Sequence, residues 1–298
     1  MNQARRDWTA LLPRPAWVET SMAPPPGSCT GPRGAGLKGS GRNPRAGTLS
    51  LGSEVFPSMP PVPLILLAPS EGKAAGGHPG RLKETEAQRW VREQLEVLAR
   101  TGTPLAQKRA FEVKDDLLAK ARAEALGLRG RVLLLPVLER YTGVAFRALD
   151  PLGLPRDRWS QVFVLSALRG LVRGDEPAPA YKLKLTGLPG LKAHWCERLA
   201  RPLAALPEGP VWELLPEDYA FLLKGWRRPR HTVEILDHEG RAITHFSKRY
   251  RGLVARWILE HQEGDPTKVL KGRIPGCTWE GAAENDCGGQ ALTLRMDP

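Results

Sequence analysis

The feature that most constrains the fold is the run Val62–Ala68 (VPLILLA), closed by Pro69. It is too short for a buried helix and too apolar for a surface turn. A continuous apolar run of this length, bounded by a chain breaker, is the mark of a buried strand. Gln161–Leu168 (QVFVLSAL) has the same character, and Val211–Leu215 is a third strand candidate. Buried strands need other elements to cover them.

Helical segments supply that cover. Between Glu84 and Arg100, Trp90, Val91, Leu95 and Leu98 recur at helical spacing with charges between them. Leu105–Leu126 is rich in Ala, Leu, Lys and Glu, with a break expected near Val113-Lys114. Leu191–Leu206 reads as a helix that Pro202 interrupts or bends, Glu217–Leu223 as a short helix, and Lys248–His261 as an amphipathic one. His231–Leu236 and Arg241–Phe246 read as a hairpin joined through Asp237-His238-Glu239-Gly240, and Gln290–Met296 as a closing strand. Val132–Leu138 is apolar but contains Pro136, so it fits either type. Strands and helices are interspersed without a repeat. The expected class is α/β, with α+β as the alternative: a single compact domain with a mixed sheet and surrounding helices.

Residues 1–58 do not fit that pattern. They hold 7 of the 44 Lys+Arg and 3 of the 32 Asp+Glu and show no periodic apolar positions. Ala23–Gly52 is mostly Pro, Gly, Ser, Ala and Arg, a composition that cannot bury enough apolar surface to offset chain entropy. The expected organisation is a disordered Pro/Gly/Arg-rich segment over 1–58, followed by a domain over 59–298. Met59 is favoured as the true start, over a natural tail or an organellar transit peptide. The apolar region of a secretory signal is missing. Of the net charge of +12, +4 then precedes residue 59 and +8 follows it.

Several chemistries lack their signatures. Cys29, Cys196, Cys277 and Cys287 form no CxxC pair, and the six histidines form no HExxH, so neither a metal nor a cofactor is expected. GxxxxGK[ST], GxSxG and a post-strand GxGxxG are also absent. No apolar run approaches the ~20 residues of a membrane helix, so no membrane partner is expected.

Three basic segments remain. The first strand runs into Pro69-Ser70-Glu71-Gly72-Lys73, where open α/β sheets place ligand groups. There Lys73 can meet a phosphate, Ser70 can donate a hydrogen bond and Glu71 can act as a base. A plain solvated turn is the competing explanation. The second segment is Arg169–Asp175 followed by Pro179–Lys184, with Lys182 and Lys184 on one face of an extended stretch. A lysine-protected edge strand competes with a binding role there. The third is the Lys248–His261 helix. At ~100° per residue, Tyr250, Leu253, Val254 and Trp257 share an apolar face, and Lys248, Arg249, Arg251 and Arg256 lie opposite. Such a face is either a phosphate-binding surface or an ordinary solvated one. Arg227, Arg228 and Arg230 are further candidates for the same surface. Gly252, unfavourable inside a helix, implies close approach by another backbone or a ligand.

Taken in order, these stretches resemble the peroxide stress protein YaaA family. The matching residues are PSEGK (Pro69–Lys73), YTGVAFRALD (Tyr141–Asp150), VLSALRGLVRGDEPAPAYKLKLTG (Val164–Gly187), His194-Trp195, EDYA (Glu217–Ala220) and ITHFSKRYRGLVAR (Ile243–Arg256). The resemblance spans residues 63 to 296. It implies a cytoplasmic protein of the response to hydroperoxide that limits iron-dependent damage and binds DNA through a basic cleft and a helix-hairpin-helix-like element near Leu105–Leu126. Here that element's turn, Glu112-Val113-Lys114, carries no glycine. Carried over by position, the candidate binding residues are Ser70, Lys73, Tyr141, Thr142, Gly143, Arg173, Lys182, Lys248, Arg251 and Gly252, with Glu71, Lys73 and Tyr181 as catalytic candidates. The expected partner is DNA or another phosphate-bearing ligand. The alternative function is an enzyme acting on a nucleotide or nucleobase in the same cleft.

Overall fold

The first buried strand, β1 (Leu64–Leu67), lies inside a seven-stranded sheet. A computed structural model of the chain describes residues 61–243 and 247–298. The 1–58 segment, Met59 and the 244–246 part of the expected hairpin lie outside the described residues. The sheet order is β5 (Gly170–Arg173), β4 (Val162–Ser166), β1, β7 (Val211–Leu214), β8 (His231–Leu236), β10 (Gln290–Met296) and β9 (Cys277–Glu284). The five inner strands are parallel, and β5 and β9 run antiparallel at the two edges. The protein is therefore α/β with a mixed sheet.

All four residues of β1 are buried, and their alternation feeds two cores. Ile65 and Leu67 face helices α5 (Val144–Leu149) and α9 (Ser247–His261). Leu64 and Leu66 face α1 (Glu86–Thr101), α3 (Asp115–Gly127) and α6 (Leu191–Arg198). A strand covered on both faces has no polar alternation, which is why VPLILLA reads as an unbroken apolar run. Helix starts are locally encoded. Thr85 and Gln88 form a reciprocal capping box on α1, and Thr103 caps α2 (Pro104–Phe111), which has Pro104 in its first turn. Pro202 has no N–H to give the Arg198 carbonyl, and the chain breaks there into α6 and α7 (Ala200–Ala204).

Counted in chain order, the parallel strands lie second, first, third, fourth, fifth across the sheet. The winding direction reverses between β1 and β7. The crevice beyond the strand carboxyl ends at such a reversal is the usual ligand site of an open α/β sheet. A small antiparallel sheet of β2 (His78–Gly80), β3 (Val132–Pro136) and β6 (Pro177–Pro179) flanks it, and β3 leads directly into α4 (Val137–Arg140).

Other features bear on the expectations. The turn after β8 folds the chain back on it, with Leu236 bridged to Ala242 and Ile243 N donating to the Ile235 carbonyl at 3.0 Å, while 244–246 of the expected second arm lie outside the described residues. β10 pairs with Thr232–Leu236 of this strand, while β7 pairs only with His231 and Thr232. The polar segment holding Cys277 and Cys287 forms the edge strand β9 and its turn. These two thiols lie at opposite ends of the β9–β10 hairpin and are free. Arg228 and Arg230 do not extend a basic surface. Arg230 is buried against Glu213 at 2.8 Å, and Arg228 donates to the Leu206 and Gly209 carbonyls.

Candidate functional site

The loop after β1 is held by its own chain and by the segment 140–143. Ser70 Oγ donates to the Gly72 carbonyl at 3.0 Å, and Thr142 N donates to the same oxygen at 3.0 Å. Lys73 and Tyr141 form a backbone bridge, and Ala74 N donates to the Arg140 carbonyl at 2.8 Å. Ser70 lies directly over Gly143. A Cβ on Gly143 would overlap Ser70 Oγ and come within 3.0 Å of its Cβ, so only glycine lets the two segments close.

Lys73 is the centre of this arrangement. The residue as a whole is half-buried, but its amine end is enclosed. Its ammonium donates to the Ser70 carbonyl at 2.9 Å and lies over two rings, 4.2 Å from the Tyr181 centroid and 5.2 Å from the Tyr141 centroid. No carboxylate pairs with it among the described residues. Burial, helped by the nearby Lys182 charge, pulls its pKa from 10.5 to about 7. The Tyr181 hydroxyl stands 3.1 Å from that of Tyr141 and 2.8 Å from Ser166 Oγ. Arg169 N donates to the same Ser166 oxygen at 3.1 Å. Burial raises both tyrosine pKa values, so both hydroxyls keep their protons.

The depressed Lys73 pKa has a stability consequence. Lys73→Met is expected to raise the unfolding free energy most below pH 7, where the amine is charged in both states and bears the full cost of burial. The gain should shrink as pH rises from about 7 towards 10.5. Over that interval the unfolded chain still binds a proton the folded chain has released, so the wild type gains stability with pH. Urea unfolding of both proteins from pH 6 to 10 checks this, and a gain constant over that range would contradict it.

Two further cations face the loop from α9. Lys248 and Arg251 line a cavity of about 240 Å³ together with Ser70, Glu71 and Gly143. Neither has an ion-pair or hydrogen-bond partner among the described residues. The arrangement corrects the expected helical face. With Lys248 at zero and ~100° per residue, buried Tyr250, Val254, Ala255, Ile258 and Leu259 span an arc centred near ~290°, beside Arg251 at ~300°. Arg251 therefore points inward while Lys248, Arg249 and Arg256 lie towards the outside. Burial alone lowers the Arg251 pKa. Arg256 is committed to Asp150 and Glu260, at 2.8 Å each.

The remaining candidates divide. Lys182 Nζ donates to the Glu71 carbonyl at 2.9 Å and joins Lys73, Tyr181 and Lys248 around a second cavity of about 310 Å³. Thr142, Lys73 and Tyr181 also border a third, of about 620 Å³, reaching to α3. Arg173 is not brought to the loop. It pairs with Asp175 at 2.5 and 3.1 Å and lies opposite Phe163, towards the amino end of β4, because β5 runs antiparallel. Gly252 serves a helix crossing: a Cβ there would overlap the Ala145 carbonyl oxygen. Sequence reasoning left out Arg140, Ser166 and Tyr219 as site residues. Tyr219 lines the 310 Å³ cavity from α8 (Glu217–Ala220), and the EDYA match pointed to it. Among the described residues no three His, Cys, Asp or Glu side chains are gathered as a metal site. No helix among them is long and apolar enough to cross a membrane.

Fold and site together define an open α/β protein with a cation-lined crevice at the reversal point of its sheet. The chain belongs to the peroxide stress protein YaaA family, whose model matches residues 64–282. A UPF0246 protein of Streptomyces coelicolor is 34% identical over 226 residues, 66% of this chain and 82% of the relative. A UPF0246 protein of Corynebacterium glutamicum is 30% identical over 218 residues, 65% and 83% of the two chains. One of Burkholderia thailandensis is 28% identical over 222 residues, 67% and 82%.

Proposed function

We propose that the chain is a cytosolic protein of the peroxide response that binds a small phosphate-bearing ligand in the crevice between β1 and β7, with Lys73 on the adjoining cavity. The observation that carries this reading is the Lys248–Arg251 pair. Two cations without protein partners among the described residues border one small cavity with Ser70, and one of them is drawn inward against the cost of burial. An anion entering that cavity relieves the cost. A nucleotide or sugar phosphate is of the right size class for cavities of a few hundred Å³. Glu71 and Tyr181 border the neighbouring cavity and are the further candidates for contact with the reacting group. We place the limitation of iron-dependent damage downstream of this ligand.

Inorganic phosphate, a nucleoside monophosphate and ribose 5-phosphate should each raise the Tm saturably. Replacing Lys248 and Arg251 together by Ala should weaken binding by roughly 10–100-fold, as expected for the loss of charged hydrogen bonds. Calorimetric titration of the full chain checks both. DNA binding through the phosphate backbone is a second reading, favoured by Lys182, Lys184, Lys192 and Lys248 around one mouth. Against it, Lys184 and Lys192 are already paired with Glu112 and Asp218, and the amide of Val113 in the α2–α3 turn is used by the Lys108 carbonyl. Duplex binding that falls steeply with salt, with no small-ligand shift, would replace the first reading by the second.

A further inference from the structure

We propose that Lys73 is a nucleophilic amine that condenses with the carbonyl carbon of a small phosphate-bearing aldehyde or ketone. This rests on the phosphate-binding reading above and names the reactive group of its ligand. The geometry points to covalent chemistry in three ways. Lys73 lines both the 310 Å³ and the 620 Å³ cavities, so a ligand in either reaches this residue. Its one hydrogen bond among the described residues is to a backbone carbonyl rather than a carboxylate, so no direct ion pair holds its charge. The cavity of Arg251 shares Ser70, Glu71 and Lys248 with the cavity of Lys73, so an anchored phosphate and a reacting carbonyl can belong to one molecule. A large share of neutral amine near pH 7 supports the assignment.

The step balances without an oxidant or reductant. The Lys73 nitrogen lone pair forms a C–N bond as the carbonyl π pair moves to oxygen. That oxygen takes a proton and the nitrogen loses one, giving a neutral carbinolamine. Protonation of its hydroxyl and departure of water leave a protonated imine, and water addition reverses the sequence. The Tyr181 hydroxyl, hydrogen-bonded with Tyr141 and Ser166, keeps its own proton, and these protons are exchanged with water entering the cavity with the ligand.

The test is reductive trapping on the full chain at pH 7 with glyceraldehyde 3-phosphate and, separately, glyceraldehyde, using cyanoborohydride and peptide mass mapping. The proposal expects Lys73 to carry the label at a lower aldehyde concentration than any other lysine. It also expects at least a 10-fold preference for the phosphorylated aldehyde. That preference should fall in the Lys248→Ala, Arg251→Ala double variant, while Lys73→Met removes the label from this peptide. Trapping spread over surface lysines with Lys73 unmodified, while phosphate still raises the Tm, overturns the covalent step and leaves the binding reading standing. Efficient labelling of Lys73 without any preference for the phosphate form overturns the phosphate-bearing ligand in both.

Discussion

Gly252→Ala is expected to destabilise the protein by about 2 kcal/mol, although alanine is the better helix former by about 1 kcal/mol. The sign follows from the crossing of α9 and α5. A methyl group at position 252 would overlap the Ala145 carbonyl oxygen and lie 2.9 Å from Ala148 Cβ. These are backbone and Cβ atoms of a neighbouring helix, which cannot rotate out of the way as a long side chain would. The helices must separate, and the core shared by Tyr250, Val254, Ala255 and Phe146 loosens with them. The displacement also reaches the site. α5 begins beside Gly143, on which Ser70 rests, and α9 carries Lys248 and Arg251. Phosphate binding should therefore weaken together with stability. Gly252→Val should be worse than Ala on both counts. Chemical denaturation decides the matter: a stabilised Ala variant, as expected for an exposed helical glycine, would remove the crossing from the explanation.

The strands β1, β4 and β7 were legible because helices cover both of their faces, leaving continuous apolar runs. The edge strand β9 was not. Four of its last residues are small or acidic, with one side open to solvent, so its pattern matches a polar turn. The proline-bearing β2 and β6 are three residues each and carry no periodicity to read. Within the site, loop composition located Ser70, Glu71 and Lys73, and the family stretches located Tyr141, Thr142, Gly143, Tyr181 and Lys182. The orientation of α9 was the harder matter. A pattern places arginine outside, and only the packing of Ala255, Ile258 and Leu259 turns Arg251 inward. Arg173 misled for a related reason. It follows the Gly170 turn in sequence, but an antiparallel strand carries it away from the strand ends that hold the loop. Arg140 gave no signal, since its partners are carbonyls scattered between residues 74 and 178.

That scatter makes Arg140→Leu the other substitution with a large expected effect. Arg140 is 1% exposed, and its guanidinium donates to the carbonyls of Ala74, Gly76, Leu133 and Ala178. It ties the loop of Lys73 to β3 and β6 through a single side chain. Burial lowers its pKa, so the charge itself is costly to hold there. Four carbonyl partners offset that cost. Leucine would fill much of the volume but leave the buried Ala178 carbonyl without this donor, while the partly buried Ala74, Gly76 and Leu133 carbonyls turn to water, at a total of about 2 kcal/mol. Arg140→Lys keeps the charge but not the planar fork that reaches strands and loop at once, so it should recover only part of the loss. The loss should be concentrated in the loop. Amide hydrogen exchange at Ala74, whose N–H meets the Arg140 carbonyl, should quicken more than exchange in β4 or β7. With the loop loosened, Lys73 leaves the Tyr141 and Tyr181 rings, and its pKa should climb from about 7 back towards 10.5. Labelling of Lys73 by an aldehyde at pH 7 should slow accordingly. Unchanged exchange at Ala74 in Arg140→Leu would show that the loop is held by its backbone bonds alone.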